Sequence, residues 1–413
     1  MKTIPTAAWQ PPPRPRWVER LNAHGAAVGG ARHLVSLDPE DLVRTACEST
    51  GLDDFGAGPW RLHYEVLIAA LERESALHTA GRLVTRTELL RSLRNRLQLT
   101  ALWKQRPQIL EAELSPAAFI VGSPRTGTSI LHELLACDPA HRAPSMWEML
   151  HPVAALDGDD MRAVGDHTTQ FWHDLQPEYE AMHSNAGDLP NECIFITMND
   201  FLSDAWGGPH VVPSYEIHLF TSDHRPTYEF HRAFLQTLQQ RRRGERWLLK
   251  APSHLAQLRT LFAVYPRARV IQTHRDPLKT LPSTLSLLGA LKWMRCESVD
   301  LARLAPLIAR GQAASFDLEI AQRADGTLPD EQFVDVRYAD LIAEPLGTIE
   351  LIYEKLGWKL EEDTLRAMES YLQKKPKGSR GEHAYSMEQM GLSSAEELRR
   401  FQRYIERFHI PEE

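Results

Sequence analysis

Residues 117–136 read AAFIVGSPRTGTSILHELLA. The apolar run 117–121 suits a buried strand. A tight loop follows, from Gly122 to Ser129. Ile130, Leu131, Leu134 and Leu135 then fall on one side of a helix. Strand, glycine loop and helix together form an anion cradle. Backbone N–H groups converge on the ligand, and the positive end of the helix dipole favours negative charge.

The loop's spacing narrows its chemistry. Gly122 and Gly127 stand five apart, as in the phosphate loop G-x-x-x-x-G-K-[ST]. The lysine of that pattern is replaced by Thr128, and a cation sits three residues earlier as Arg125. The stretch from Pro124 to Ser129 packs one cation and three hydroxyls around Gly127. A bare glycine turn needs none of these groups.

Outside the loop, composition sets bounds. The chain has 413 residues, 43% hydrophobic and 25% charged, which is ordinary for a globular protein with a sizeable core. A net charge of −8 gives no general case for nucleic acid or an anionic membrane as partner. An anionic ligand therefore needs a local basic site. Cys47, Cys137, Cys193 and Cys296 are scattered with no metal spacing, which reads as reduced thiols. No run approaches the ~20 apolar residues of a membrane span. The proline-rich start lacks a signal-peptide core, and the expected location is cytoplasmic.

Along the chain, residues 1–35 read as an irregular arm, because Pro11, Pro12, Pro13 and Pro15 oppose a helix. Residues 36–110 read as a helical extension packed on the core. It opens at Asp38, a candidate N-cap followed by Pro39. The remainder, 111–413, alternates strands and helices. RWLLK at 246–250, ARVIQT at 268–273 and the run 333–336 are further strands. Helices follow near Pro252, Leu278 and Ala339. This predicts an α/β fold with a parallel sheet flanked by helices, in which ligands sit at the carboxyl ends of the strands. The section 151–213 is read as irregular and aromatic-rich, part of a lid and acceptor-site insertion over about 151–230.

A second motif begins at one of those strand ends. Arg275 leaves the strand 268–273, and Ser283 follows eight residues later inside the next helix. An arginine fork with a hydroxyl suits a phosphate dianion. Asp276 and Pro277 also make a good helix start, and one segment can serve both ends.

The two motifs together resemble those of sulfotransferases that use 3'-phosphoadenosine-5'-phosphosulfate (PAPS), of the bacterial type. The family's sulfate loop, roughly P-[KR]-[ST]-G-[ST]-[ST], is matched by Pro124, Arg125, Thr126, Gly127, Thr128 and Ser129. Its 3'-phosphate motif has the spacing of Arg275 and Ser283. The stretches 248–254 and 265–270 resemble the bridge between the two phosphate sites. Residues 336–341 with Pro345 resemble the late segment in which Tyr338 lies near the nucleotide. Residues 381–386 with Gly391 and Leu392 resemble the closing segment. The resemblance implies a P-loop-like fold and PAPS as sulfuryl donor, with 3',5'-adenosine bisphosphate (PAP) as product. It also implies an acceptor with a hydroxyl or amine, and the aromatics of 171–232 suit a small, hydrophobic one. No metal is expected, because the leaving group is cradled by side-chain cations.

By this resemblance Arg125 and the N–H groups of Thr126 to Ser129 hold the phosphosulfate, and Lys250 reaches its bridging or sulfuryl oxygens. Arginine keeps its proton, so Arg125 acts as a fixed charge. Three residues are candidates for the base that takes the acceptor's proton. Glu148 stands where related enzymes carry a catalytic glutamate. His254 lies four residues after Lys250. Glu192 is the third, with lid ordering as its other role. Two rival readings stand beside sulfuryl transfer. A P-loop kinase or NTPase is disfavoured by Thr128 and by the lack of a convincing magnesium aspartate. A non-catalytic nucleotide-binding protein is disfavoured by the intact set Arg125, Lys250, Arg275 and Ser283.

Overall fold

The computed structural model describes residues 8–182, 186–374 and 385–413. Five strands form one parallel sheet: β1 (Ala117–Val121), β2 (His141–Arg142), β3 (Arg246–Lys250), β4 (Arg269–His274) and β5 (Phe333–Arg337). Their order is β2-β3-β1-β4-β5, with β1 central and paired to β3 and β4. The strands expected from sequence lie within a residue of their observed ends. The two-residue β2 was too short to leave a periodic signal.

Both faces of the sheet are covered, which is why β1 is apolar at every position. Phe119 and Val121 join Trp247, Leu249 and Val270 in a core shared with the helices Arg225–Arg241 and Leu301–Ala324. Ala118 and Ile120 point the other way. They meet Leu248, Ile271 and Val334 beneath the helices Thr128–Leu135 and Pro345–Leu356.

The extension consists chiefly of the helices Pro39–Thr50, Trp60–Arg73 and Thr79–Gln105. Asp38 caps the first, its Oδ1 accepting from Asp41 N at 2.8 Å. Tyr64, Leu67, Leu93 and Leu97 form a cluster with Phe201, Trp206 and Tyr215 from the insertion. The extension thus braces the insertion, while Leu99 and Trp103 reach the sheet core.

Two expectations need correction. The arm 1–35 is irregular only in part, because the helix Arg16–Ala27 starts directly after Pro15. Pro15 O accepts from Val18 N at 2.9 Å, so the proline serves as a cap where its missing N–H costs nothing. Val18 is buried beside Ala80, Val84 and Met146. The section 151–213 is likewise mostly helical, containing Pro152–Asp157, Arg162–Leu175, Pro177–Met182, Ile194–Thr197 and Asp204–Gly207. Proline opens the first and third of these at the first helical position, where it is favoured. Among the described residues no helix is long and apolar enough to cross a membrane.

Candidate functional site

The anion cradle forms where β1 ends. Gly122 has φ 142°, and a Cβ there would lie 2.5 Å from Thr273 Oγ1 and 2.7 Å from Thr273 O. Gly127 has φ 89°, and its Cβ would meet Tyr338 Cδ2 at 2.9 Å. Glycine is required at both positions. Gly127 is also the N-cap of the helix Thr128–Leu135, and no side chain caps that end. The first-turn N–H groups therefore remain available to an anion.

The hydroxyls of the loop divide their work. Thr126 Oγ1 turns inward to Ser123 O and Thr273 Oγ1, both at 2.6 Å, and is buried. It shapes the loop, leaving its backbone to face a ligand. Thr128 is buried too. Ser129 Oγ accepts from Lys250 Nζ at 3.4 Å and borders the cavity with Pro124 and Arg125.

The second motif closes on the first. Arg125 Nε donates to Ser283 Oγ at 3.1 Å, and Arg275 Nη1 donates to Arg125 O at 3.0 Å. Arg125 takes a left-handed φ of 72°, unusual for a residue with a Cβ and consistent with a constrained site. The Arg275 guanidinium lies 3.9 Å from the Tyr338 ring centroid. Its remaining face pairs with the Glu413 carboxylate at 2.9 Å. That carboxylate marks a place where an anion is held, and the donor set of an arginine fork, a serine hydroxyl and helix N–H groups fits a phosphate. Asp276 caps the helix Pro277–Trp293 through Leu278 N, so the segment also serves as a helix start.

His274 faces away from the cradle. It is buried against Phe408 and hydrogen-bonded to Asp335 at 2.9 Å. Residues 381–384 of the expected closing segment lie outside the described residues. Ser386 N donates to Gln389 Oε1 at 2.9 Å just beyond them.

A cavity of about 680 Å³ opens beside the loop. It is bounded by the insertion and by the helices Pro277–Trp293 and Leu301–Ala324. Lys250 is buried at the end of β3, its Nζ donating to Glu192 Oε1 at 2.6 Å. Glu192 and His254 line the cavity. His254 Nδ1 shares a hydrogen bond of 2.6 Å with Tyr228 Oη, while its Nε2 is buried without a partner. Burial lowers its pKa to about 3, against the nearby charge of Glu192, so the imidazole is neutral at pH 7.

Glu148 belongs elsewhere. Arg142 Nη1 donates to its Oε2 at 3.0 Å, and Arg142 Nη2 donates to its Oε1. Ser145 adds its N at 2.9 Å and its hydroxyl at 2.8 Å, completing a capping box for the helix Met146–Leu150. Burial works to raise this carboxyl, but the Arg142 charge and the hydrogen bonds from Arg142 and Ser145 hold it below the usual value. Glu148 does not border the cavity. Glu148 thus completes an S-x-x-E capping pattern that was present in the sequence at Ser145, and the structure sets it apart from the cavity where a base is expected. Sequence reading also missed Tyr228, Asp204 and Glu413, which no local motif marks.

A central βα unit with a glycine loop and a five-stranded parallel sheet flanked by helices define an α/β protein of P-loop-like fold. The chain belongs to the sulfotransferase family, whose model matches residues 116–362. It is 29% identical over 262 residues to the omega-hydroxy-beta-dihydromenaquinone-9 sulfotransferase Stf3 of Mycobacterium tuberculosis and Mycobacterium bovis. That match covers 62% of this chain and spans 66% of the relative's length. Among solved structures it is similar to sulfotransferase STF1 of Mycobacterium tuberculosis, with TM-score 0.77 and 30% identity, covering 88% of this chain and 98% of the other. It is also similar to STF9 of Mycobacterium avium, with TM-score 0.78 and 26% identity, covering 90% and 97%.

Proposed function

We propose that the protein moves the sulfuryl group of PAPS to a hydroxyl, or an amine, of a small hydrophobic acceptor. The observation that carries this reading is the union of the two motifs, through Arg125 Nε on Ser283 Oγ and Arg275 Nη1 on Arg125 O. Family membership supports the reaction class. The similarity to Stf3, an omega-hydroxy-beta-dihydromenaquinone-9 sulfotransferase, supports an apolar alcohol.

PAPS, when bound, supplies an activated sulfuryl group on a phosphosulfate anhydride. Pro124 and Gly127 shape the loop. Arg125 and the N–H groups of Thr126 to Ser129 hold the 5' end. Arg275, Ser283 and Tyr338 hold the 3'-phosphate and the nucleoside. Lys250, poised between Ser129 and Glu192, neutralises charge that develops on the leaving oxygen. Catalysis then rests on positioning and fixed charge, as in phosphoryl transfer.

For the base we assign His254 rather than Glu148, because His254 borders the cavity with a free Nε2. When Nδ1–H donates to Tyr228 Oη, Nε2 carries the lone pair that takes the acceptor's proton. Glu192 stabilises the imidazolium that results. Glu192 itself is the second candidate, since its carboxylate also lines the cavity beside Lys250.

The test is an acceptor screen with isotopically labelled PAPS, read by mass spectrometry for a sulfate adduct. Turnover that survives EDTA supports the reading. Loss on EDTA, restored by magnesium with ATP as donor, supports the kinase alternative. PAPS binding with no product across a broad panel supports a non-catalytic nucleotide-binding protein.

A further inference from the structure

The cavity beside the loop is lined by charges of both signs. Four carboxylates line it: Glu88, Glu192, Asp204 and Glu216. Three of them face a cation. Glu192 pairs with Lys250 at 2.6 Å, Glu88 with Arg295 at 2.9 Å and Glu216 with Lys292 at 3.5 Å. Asp204 has no ion pair among the described residues. It accepts a hydrogen bond from the Ser253 hydroxyl.

The placement of Asp204 is deliberate in physical terms. It opens the short helix Asp204–Gly207, whose neighbours Phe201 and Trp206 are anchored against the N-terminal extension. Asp204 is an exposed residue that lines the cavity. Shielding by the cavity wall, then the charges of Glu216 and Glu192, push it up to about 6. A carboxylate in such surroundings gains from any donor that reaches it. Its supporting hydroxyl, Ser253, is adjacent in sequence to His254, which also lines the cavity. Asp204 thus brings a carboxylate without a counter-charge to the cavity that His254 also lines, an arrangement that orients a ligand.

We propose that Asp204 is a specificity-determining residue that binds a second hydrogen-bond-donor group, a hydroxyl or an ammonium, on the apolar acceptor. This rests on the sulfuryl-transfer reading and adds a feature of the substrate to it. The acceptor is then bifunctional: one hydroxyl meets His254 and is sulfated, and a separate donor meets Asp204.

The experiment compares 1-octanol, 1,8-octanediol and 8-amino-1-octanol as acceptors. KM and kcat are measured with PAPS, and the binding of each compound to PAP-loaded protein is measured by calorimetry. The wild type should prefer the diol or the amino alcohol to octanol by about tenfold in KM or Kd, the scale of one hydrogen bond to a charged group. Asp204→Asn should abolish the preference for the amine, and Asp204→Ala the preference for both, with KM moving more than kcat. In the wild type the amine preference should fade below pH 6, as Asp204 takes a proton. The diol and amine arms tell which donor is favoured. Equal binding of all three compounds by the wild type overturns the proposal, as does a preference that survives in Asp204→Ala. PAP binding to the wild type separates the two levels. Its absence overturns the nucleotide cradle, whereas intact PAP binding without discrimination overturns Asp204 alone.

Discussion

Arg125 Nε donates to Ser283 Oγ at 3.1 Å across a sequence separation of 158 residues. The contact joins the loop after β1 to the helix after β4, two segments brought side by side because β1 and β4 are adjacent in the sheet. Two distant motifs are thereby brought together at neighbouring strand ends.

If Arg275 holds the 3'-phosphate, Arg275→Ala should weaken PAP binding by about 1.5–3 kcal/mol, the worth of a hydrogen bond to a charged group. Titration calorimetry measures this directly. Equal affinity in mutant and wild type removes Arg275 from the site.

Glu413 occupies the face of Arg275 that a phosphate needs. The pair is about three-quarters buried and must open when the nucleotide binds. Glu413→Gln should therefore tighten PAP binding by up to a few-fold, the range of a solvent-screened ion pair. Weaker binding in this variant would mean that the carboxylate helps the site rather than competes with it.

The two suspected bases should behave differently. His254→Asn should lower turnover about 100-fold, the usual contribution of a general base, with little change in PAP affinity. Glu148→Gln should leave Arg142 buried without its counter-charge and cost about 3–5 kcal/mol of stability. Its folded fraction should turn over within a few-fold of the wild type. Chemical denaturation and active-site titration separate these effects. A fully stable but inactive Glu148→Gln would restore Glu148 as the base.

Acid should destabilise the fold. Burial lowers His132 and His254 to about 3, and His63 and His151 to about 4. A histidine whose folded pKa lies below its unfolded value contributes stability that is fully present above about pH 6.5 and lost as pH falls toward the folded pKa. At pH 5 the loss is about 2 kcal/mol for each of His132 and His254. Glu319, raised to about 7 by burial, works in the opposite sense but is outnumbered. Thermal unfolding should show a lower Tm at pH 5 than at pH 7. An unchanged or higher Tm would contradict the buried neutral histidines.

Much of this was decided locally. The run 117–121, the loop around Gly127 and the apolar strands after residue 246 obey short-range rules of burial, chirality and periodicity, so the strand–loop–helix unit and the parallel sheet were legible in the sequence. The places of Arg275 at a strand end and Ser283 in the next helix were legible for the same reason. The reading erred where proline was taken only as a breaker. At Pro15 a helix begins immediately after the proline, and Pro152 and Pro177 open theirs at the first position. Position along a chain does not tell a carboxylate that faces a cavity from one held, as Glu148 is, by Arg142 and Ser145. That distinction, the pairing of Lys250 with Glu192, and the isolation of Asp204 depend on which charges share a low-dielectric space. Partners there come from segments up to 207 residues apart, as in Arg295 and Glu88. Only tertiary packing brings them together, because the energy of a buried charge is set by its neighbours in space and not by those in sequence.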